Sequence, residues 1–355
     1  MKAVILAGGK GEGLYPLTEG QQKELLSVLG KPVLSYVMEG LMKAGISEFV
    51  IVTSDKGREI ERELPNTDAG YEVVYQKKEG IEGAISEGIS KISDKYYVLA
   101  FGDIITSSQL YSSLLSLYYT NGKPSISLTP IGEGFNTYGL VEIEGGRIKV
   151  VRSGSTLALA GAYVLPTETM DNFEEYLSSL NPSYFVWSGP WVDIGYPEDI
   201  LTAIENLLNE RRGTFISDGA NVARSAVLGN QVIIEDRATI EDYAVIKGPA
   251  YIGKDAYIGN FSLIRSFSSI ERNAIIGAYS EVAHTLVGQG VEIGSKSYLT
   301  YSVVGREAKI GAGTITKTSM TNKVVRGRSN KFGCVIPPKG KVDHGSVLKP
   351  FYAEG

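Results

Sequence analysis

From Phe215 onward an aliphatic residue falls on every sixth position: Ile216, Val222, Leu228, Ile234, Ile240, Ile246, Ile252, Ile258, Ile264, Ile270, Ile276 and Val282. A period of six matches neither an α-helix nor a simple alternating strand. It matches a chain that makes a short strand, turns, and repeats this three times per coil, so that the aliphatics stack inward. Small residues flank them, as in Ile252-Gly253, Ile258-Gly259, Ile276-Gly277, Ile293-Gly294 and Ile310-Gly311. The register slips by one and resumes at Val287, Ile293 and Leu299, slips again to Val304 and Ile310, and returns at Ile336, Val342 and Leu348. The pattern predicts a parallel β-helix of three hexads per triangular coil. Each coil depends on its neighbours and the last needs a cap, so a looped excursion is expected after about residue 320.

Residues 1–212 carry a different signal. AVIL (3–6) reads as a buried strand, and Gly8, Gly9, Gly11 and Gly13 follow at once. Glycines there let the backbone take positive φ and approach a ligand closely, and successive N–H groups in such a loop favour phosphate. Helix PVLSYVMEGLMKAG, strand FVIVTS, helix GREIERELP, strand YEVVYQ, helix EGAISEGISKIS, strand YYVLAFGDI, helix SQLYSSLLSLYY and strand SISLTPI then alternate. Such alternation implies right-handed βαβ crossovers and a mostly parallel sheet, whose ligands sit at the carboxyl ends of strands. The glycine loop and Asp103 both lie at such ends. GLVEIEGGRIKVV reads as a hairpin turned at Gly145-Gly146 and LALAGAYVL as a further strand, an antiparallel insertion that makes the sheet mixed. Helix ETMDNFEEYLSSL, the tripeptide Trp191-Val192-Asp193 and helix PEDILTAIENLLNE close this part. The expected organisation is an α/β domain over 1–212 and a β-helix domain over 213–355.

The 355 residues suffice for two domains. A net charge of −5 gives no reason to expect nucleic acid as a partner. The single Cys334 excludes an internal disulfide and a multi-cysteine zinc site. No apolar run reaches the ~18–20 residues of a membrane span, and the N-terminus carries no signal-peptide pattern. A cytoplasmic protein without a membrane partner is expected. The two histidines, His284 and His344, both lie in the last third, which excludes a histidine base in the α/β part.

A glycine loop on a βαβ sheet followed by hexapeptide repeats resembles the sugar-1-phosphate nucleotidylyltransferases, most closely the archaeal type with a left-handed β-helix behind a Rossmann-like transferase domain. The family loop reads G-x-G-T-R-L-x-P-L-T. Here Gly9-Lys10-Gly11-Glu12-Gly13-Leu14-Tyr15-Pro16-Leu17-Thr18 stands in its place, followed by Gln22-Lys23 and the turn Gly30-Lys31-Pro32. The resemblance implies a reaction of nucleoside triphosphate with sugar 1-phosphate that yields NDP-sugar and pyrophosphate. By the same resemblance Leu6, Gly8, Gly9, Gly11, Gln76 and Gly80 hold the nucleotide, and Gly139, Arg152 and Gly161 face the sugar. Lys23 meets phosphate. Asp103 in Gly102-Asp103 and Asp193 in Trp191-Val192-Asp193-Ile194-Gly195 hold Mg²⁺, which takes oxygen ligands and bridges the transferred and leaving phosphates. Homo-oligomer formation through the β-helix is expected.

Three departures bear on chemistry. The loop threonine and arginine fall on Glu12 and Gly13, and an E-K pair falls on Arg152-Ser153. Losing one cationic clamp of that kind typically costs two or more powers of ten in rate, and a lysine such as Lys10 does not reproduce an arginine's planar fork. An active enzyme and a catalytically lapsed regulatory or scaffold paralogue that still binds nucleotide or NDP-sugar, similar to the non-catalytic subunits of GDP-mannose pyrophosphorylase or of the translation-initiation exchange factor, therefore both stand. In the β-helix the histidine of acetyltransferase relatives falls on Ser295, and Lys317-Thr318 stands where their A-N falls. Acetyl transfer is disfavoured, and His284 is expected at the surface near a coil corner.

Overall fold

Strand β1 (Ala3–Leu6) is apolar throughout because it lies in the middle of its sheet, between two parallel neighbours. The structure, a computed structural model, describes residues 1–54, 58–64, 69–132, 137–320, 326 and 331–351. They fold as two compact units, one of residues 1–10, 21–25 and 32–193, the other of 11–20, 26–31 and 194–355.

In the first unit β1 pairs in parallel with β2 (Glu48–Thr53) and β4 (Tyr96–Phe101), and β2 pairs with β3 (Gly70–Tyr75). Helices α1 (Val33–Lys43), α2 (Arg58–Glu63) and α3 (Ile81–Ile89) lie between successive strands in the chain. β5 (Ile104–Thr106) follows β4 after a Gly102-Asp103 turn, so the run read as one strand through residue 104 is two. After α4 (Ser108–Asn121) and β6 (Ser125–Pro130), the hairpin β7 (Leu140–Glu144) and β8 (Arg147–Val151) turns at Gly145-Gly146, both at positive φ. β9 (Leu157–Pro166) runs antiparallel to β4 and β6, which makes the sheet mixed. Helix α5 begins at Phe173, later than its sequence suggests. The Asn172 side chain caps it by accepting from the Glu175 N–H at 3.0 Å, so residues 168–172 stay outside. β10 (Ser183–Val186) pairs with β6, and β11 (Trp191–Asp193) pairs antiparallel with β5.

In the second unit, α6 (Pro197–Glu210) precedes three seven-stranded parallel sheets, which form the left-handed β-helix. Aliphatics stack down its axis, with Ile240 on Ile258 and Ile258 on Ile276, each eighteen residues apart. The register slips are coils of seventeen: Ile270 sits on Val287 and Ile276 on Ile293. All these side chains are buried in one continuous core that also takes up Cys334. Burial pushes the Cys334 thiol up to about 11, so it is inert filling at neutral pH. Val304 sits on Ile336, and Ser319 and Met320 pair antiparallel with Phe332 and Lys331 at the base of the intervening chain. The expected excursion itself falls mostly on 321–325 and 327–330, outside the described residues. His284 is half-buried instead of a surface residue, stacked 4.4 Å from the Tyr301 ring, and burial lowers its pKa. The segment 26–31 is anchored on Glu271, which is fully buried and accepts hydrogen bonds from Ser27 Oγ (2.5 Å), the Gly30 N–H (2.9 Å) and Ser269 Oγ (2.6 Å).

Candidate active site

The start of the glycine loop is fixed by the sheet beneath it. The Ala7 N–H donates to Val52 O (2.7 Å) and the Gly102 N–H to Leu6 O (2.8 Å), while Leu6 itself lies between Val52 and Phe101. Gly8 and Gly9 are glycine because side chains already fill the space a Cβ would take. A Cβ on Gly8 would lie 2.6 Å from Gln76 Oε1, and one on Gly9 would lie 2.9 Å from Lys23 Cε. Gly8 is thereby brought to Gln76, and Gly9 to Lys23. Gly11 takes a left-handed φ of 64° before a turn of 3₁₀ helix at Glu12–Leu14.

The two aspartates converge through strand pairing. Asp193 stands opposite Ile104 in the β11–β5 ladder, one residue from Asp103. The Lys23 ammonium forms an ion pair with Asp103, and both side chains are largely buried. Burial presses the Lys23 ammonium toward its neutral form, but Asp103, Glu24 and Asp193 outweigh it and raise its pKa. Lys23 is a permanent cation at neutral pH.

Glu24, absent from the residues expected to form the site, lies directly beneath it. Its side chain is buried, accepts from the Gly9 N–H, and leaves Oε2 without a hydrogen bond among the described residues. Burial pushes its pKa from 4.5 up to about 7, against the opposing pull of Lys23. A carboxyl raised in this way binds its proton more tightly folded than unfolded. Stability is therefore expected to fall as pH rises from 4.5 through 7, by up to about 3 kcal/mol. Urea denaturation of the natural protein and Glu24→Gln at pH 5 and pH 8 checks this. The variant should lose less stability than the natural protein between the two values, and parallel behaviour would remove Glu24 as the cause.

A divalent cation would find hard oxygen donors here. Among the described residues no group of three or more His, Cys, Asp or Glu side chains could hold a metal ion. Two carboxylates suit a cation that completes its shell with water and substrate phosphates, as Mg²⁺ does. Asp103 and Asp193 fit that donor set.

Of the residues expected to face the sugar, Gly161 packs against the same strand pair. Gly161, at φ 76°, sits in the irregular stretch of β9 between Leu159 and Tyr163, where a Cβ would lie 2.1 Å from Ile104 Cδ1. Trp191 Nε1 donates to Ala160 O (3.0 Å), and the Trp191 and Tyr138 rings meet edge to face at 5.4 Å. Gly139 O accepts from the Leu159 N–H (2.8 Å). Gly80, at φ 97°, opens α3. Arg152 is exposed in the bend after β8, and among the described residues no hydrogen bond or ion pair links it to Lys23, Asp103 or Asp193.

Comparison with known proteins gives this arrangement its context. The sequence pattern of the nucleotidyl transferase family matches residues 2–180. The chain belongs to the nucleotidyl transferase family. It is 31% identical over 255 residues to the low-salt glycan biosynthesis nucleotidyltransferase of Haloferax volcanii, covering 62% of this chain and 71% of that protein. It is 28% identical to a putative UTP–glucose-1-phosphate uridylyltransferase of Methanocaldococcus jannaschii, covering 49% of this chain and 75% of that protein. Among solved structures, a UDP-glucose pyrophosphorylase complexed with UDP-glucose superposes with a TM-score of 0.52 at 20% identity, covering 59% of this chain and 99% of the other. The UTP-bound enzyme of Acinetobacter baumannii gives 0.53 at 19% identity, covering 59% and 94%. The structural likeness establishes the transferase fold. Nucleotidyl transferases of this family bind nucleoside triphosphate and sugar phosphate and generally use a divalent metal. Among the described residues no helix is long and apolar enough to cross a membrane.

Proposed function

We propose that this protein is an active sugar-1-phosphate nucleotidylyltransferase in which Lys23, Asp103 and Asp193 carry the reaction and Mg²⁺ is the metal. An oxygen of the sugar 1-phosphate attacks the α-phosphorus of the nucleoside triphosphate, and the bond to the β-phosphate breaks. Pyrophosphate leaves, and NDP-sugar forms. The observation that supports this most is the convergence of Lys23 on Asp103 with Asp193 on the neighbouring strand. Bound between those two carboxylates, Mg²⁺ would neutralise charge on the phosphates. Lys23, kept cationic by the carboxylates, holds a phosphate of the substrate. Gly8 and Gly9 are proposed to carry the start of the loop past the nucleotide, close against Gln76 and Lys23, with Gln76 and Gly80 toward the base. Gly139 and Gly161 are proposed to line the sugar side beside Trp191, packed closely on Leu159 and Ile104. Arg152 is proposed to reach the sugar phosphate from its exposed bend.

The named relatives make UTP with glucose 1-phosphate the first substrate pair to try. Purified protein with Mg²⁺, each of five nucleoside triphosphates and a panel of sugar 1-phosphates is expected to release pyrophosphate with at least one pair. Nucleotide binding without pyrophosphate release from any pair would instead establish the lapsed paralogue, for which the loss of the loop arginine at Gly13 speaks. We place the protein in the cytoplasm and expect the β-helix to mediate a homo-oligomer, with 1–212 and 213–355 as its functional halves. A molar mass from light scattering above the 38.3 kDa of one chain would support that assembly, and a monomer would end it.

A further inference from the structure

Gly13 and Gly195 are glycine for a shared reason. A Cβ on Gly13 would lie 2.4 Å from the carbonyl oxygen of Gly195 and 3.1 Å from the Tyr196 ring. A Cβ on Gly195 would lie 2.8 Å from a guanidinium nitrogen of Arg326. The Gly195-Tyr196 turn is therefore touched both by the glycine loop and by Arg326, a residue supplied from between two β-helix strands.

The contacts of Arg326 are those of a brace. Its guanidinium lies 5.0 Å from the Tyr196 ring centroid and 3.7 Å from Asp199 Oδ2. That same oxygen accepts from the N–H groups of Gly195 (3.0 Å) and Tyr196 (2.8 Å). The Arg326 N–H donates to Glu198 Oε1 at 3.2 Å. The Arg326 side chain is only 6% exposed, which keeps it from being a direct phosphate ligand. A planar guanidinium can pair with a carboxylate and lie over a ring at once, whereas an ammonium is a point charge.

We infer that Arg326 is a positioning residue for nucleotide binding: it fixes the Gly195-Tyr196 turn on which Gly13, and with it the triphosphate-binding loop, rests. The inference builds on the proposed function, in which Gly8 and Gly9 of that loop approach the nucleotide, and extends the contact to the triphosphate along the loop.

The test uses the full chain with Arg326→Gln and Arg326→Lys, at a temperature where circular dichroism shows each folded. Calorimetric binding is measured with whichever of UTP, dTTP, GTP, ATP and CTP the natural protein binds most tightly. Arg326→Gln is expected to weaken that binding about tenfold and raise the triphosphate KM in parallel, leaving the KM for sugar 1-phosphate within about twofold. Arg326→Lys keeps the charge without the stacked plane and should fall between. Triphosphate affinity unchanged within twofold in Arg326→Gln, whatever its Tm, would assign the arginine to stability alone and overturn the inference. Should Arg326→Gln not fold, an Arg326→Lys affinity equal to the natural one overturns it. Absence of pyrophosphate release by the natural protein would strike down the proposed activity, while the binding comparison still decides on Arg326.

Discussion

Asp103→Asn is expected to fold and to release pyrophosphate at least about a thousandfold more slowly than the natural protein, a loss near 4 kcal/mol of transition-state stabilisation. Two functions disappear with one carboxylate. The proposed metal site loses one of its two anionic ligands, and an amide oxygen does not replace that charge. Lys23 loses its ion-pair partner while Glu24 and Asp193 still act on it electrostatically, so the ammonium is drawn away from Asp103. Removing one partner of a buried pair is costly, and a stability loss of up to about 3 kcal/mol should accompany the change. Since the Lys23 pKa is raised above 10.5, the pair contributes fully below that value and fades only as pH climbs past it. The pair's own contribution is therefore constant from pH 6 to pH 9, but Asp103 also helps raise the Glu24 pKa, so the total stability loss in Asp103→Asn should be smaller at pH 9 than at pH 6. Steady-state kinetics with calorimetric unfolding at both values check this, and more than a tenth of natural activity in the variant would remove Asp103 from the reaction.

How much of this site could be read from sequence follows from what fixes each residue. The β-helix was legible because one physical requirement, an inward aliphatic every sixth residue, repeats through 216–282 without a break. Its seventeen-residue coils were visible as slips for the same reason. Gly8 and Gly9 stand out as glycines next to a strand end, whereas Lys23, Asp103 and Asp193 are named only by the resemblance, since a lone carboxylate at a strand end reads as well as a cap or a solvated turn. The fold pairs Lys23 with Asp103 and sets Asp193 on the neighbouring strand. Gly161 could be named, but its cause could not: the clash with Ile104 exists only once β9 crosses the β5 turn. Glu24 gives little away in the sequence, because a charged residue between Lys23 and Leu25 reads locally as solvated. Its one signal was the apolar run Leu25-Leu26 that follows, which drags it into the interior. Arg326 had no sequence signal, since its partners Tyr196 and Asp199 lie more than a hundred residues away. The same holds for residues 11–20 and 26–31, which pack with the second unit although the sequence sets them among the strands and helices of the first.

The resemblance to other family loops makes Gly13→Arg the obvious attempt to raise activity, and the structure predicts the reverse. The variant should lose at least about a hundredfold in turnover and about 1–3 kcal/mol in stability, the usual cost of forcing atoms into filled space. The obstacle is the first side-chain carbon, not the charge. A Cβ at this position meets a backbone carbonyl oxygen at 2.4 Å, and the carbonyl belongs to Gly195. That residue cannot easily retreat, because its N–H is held by Asp199 and its Cα faces the Arg326 guanidinium. Either the loop lifts off the turn or the turn lifts off Asp199. Gly13→Ala separates the two contributions: if sterics decide, alanine should already remove most of the activity and arginine should add little. Turnover, triphosphate affinity and Tm of the three proteins measured side by side check this. Increased turnover in Gly13→Arg, with or without Glu12→Thr, would mean that the turn yields and that the lost loop cation is what limits the natural protein.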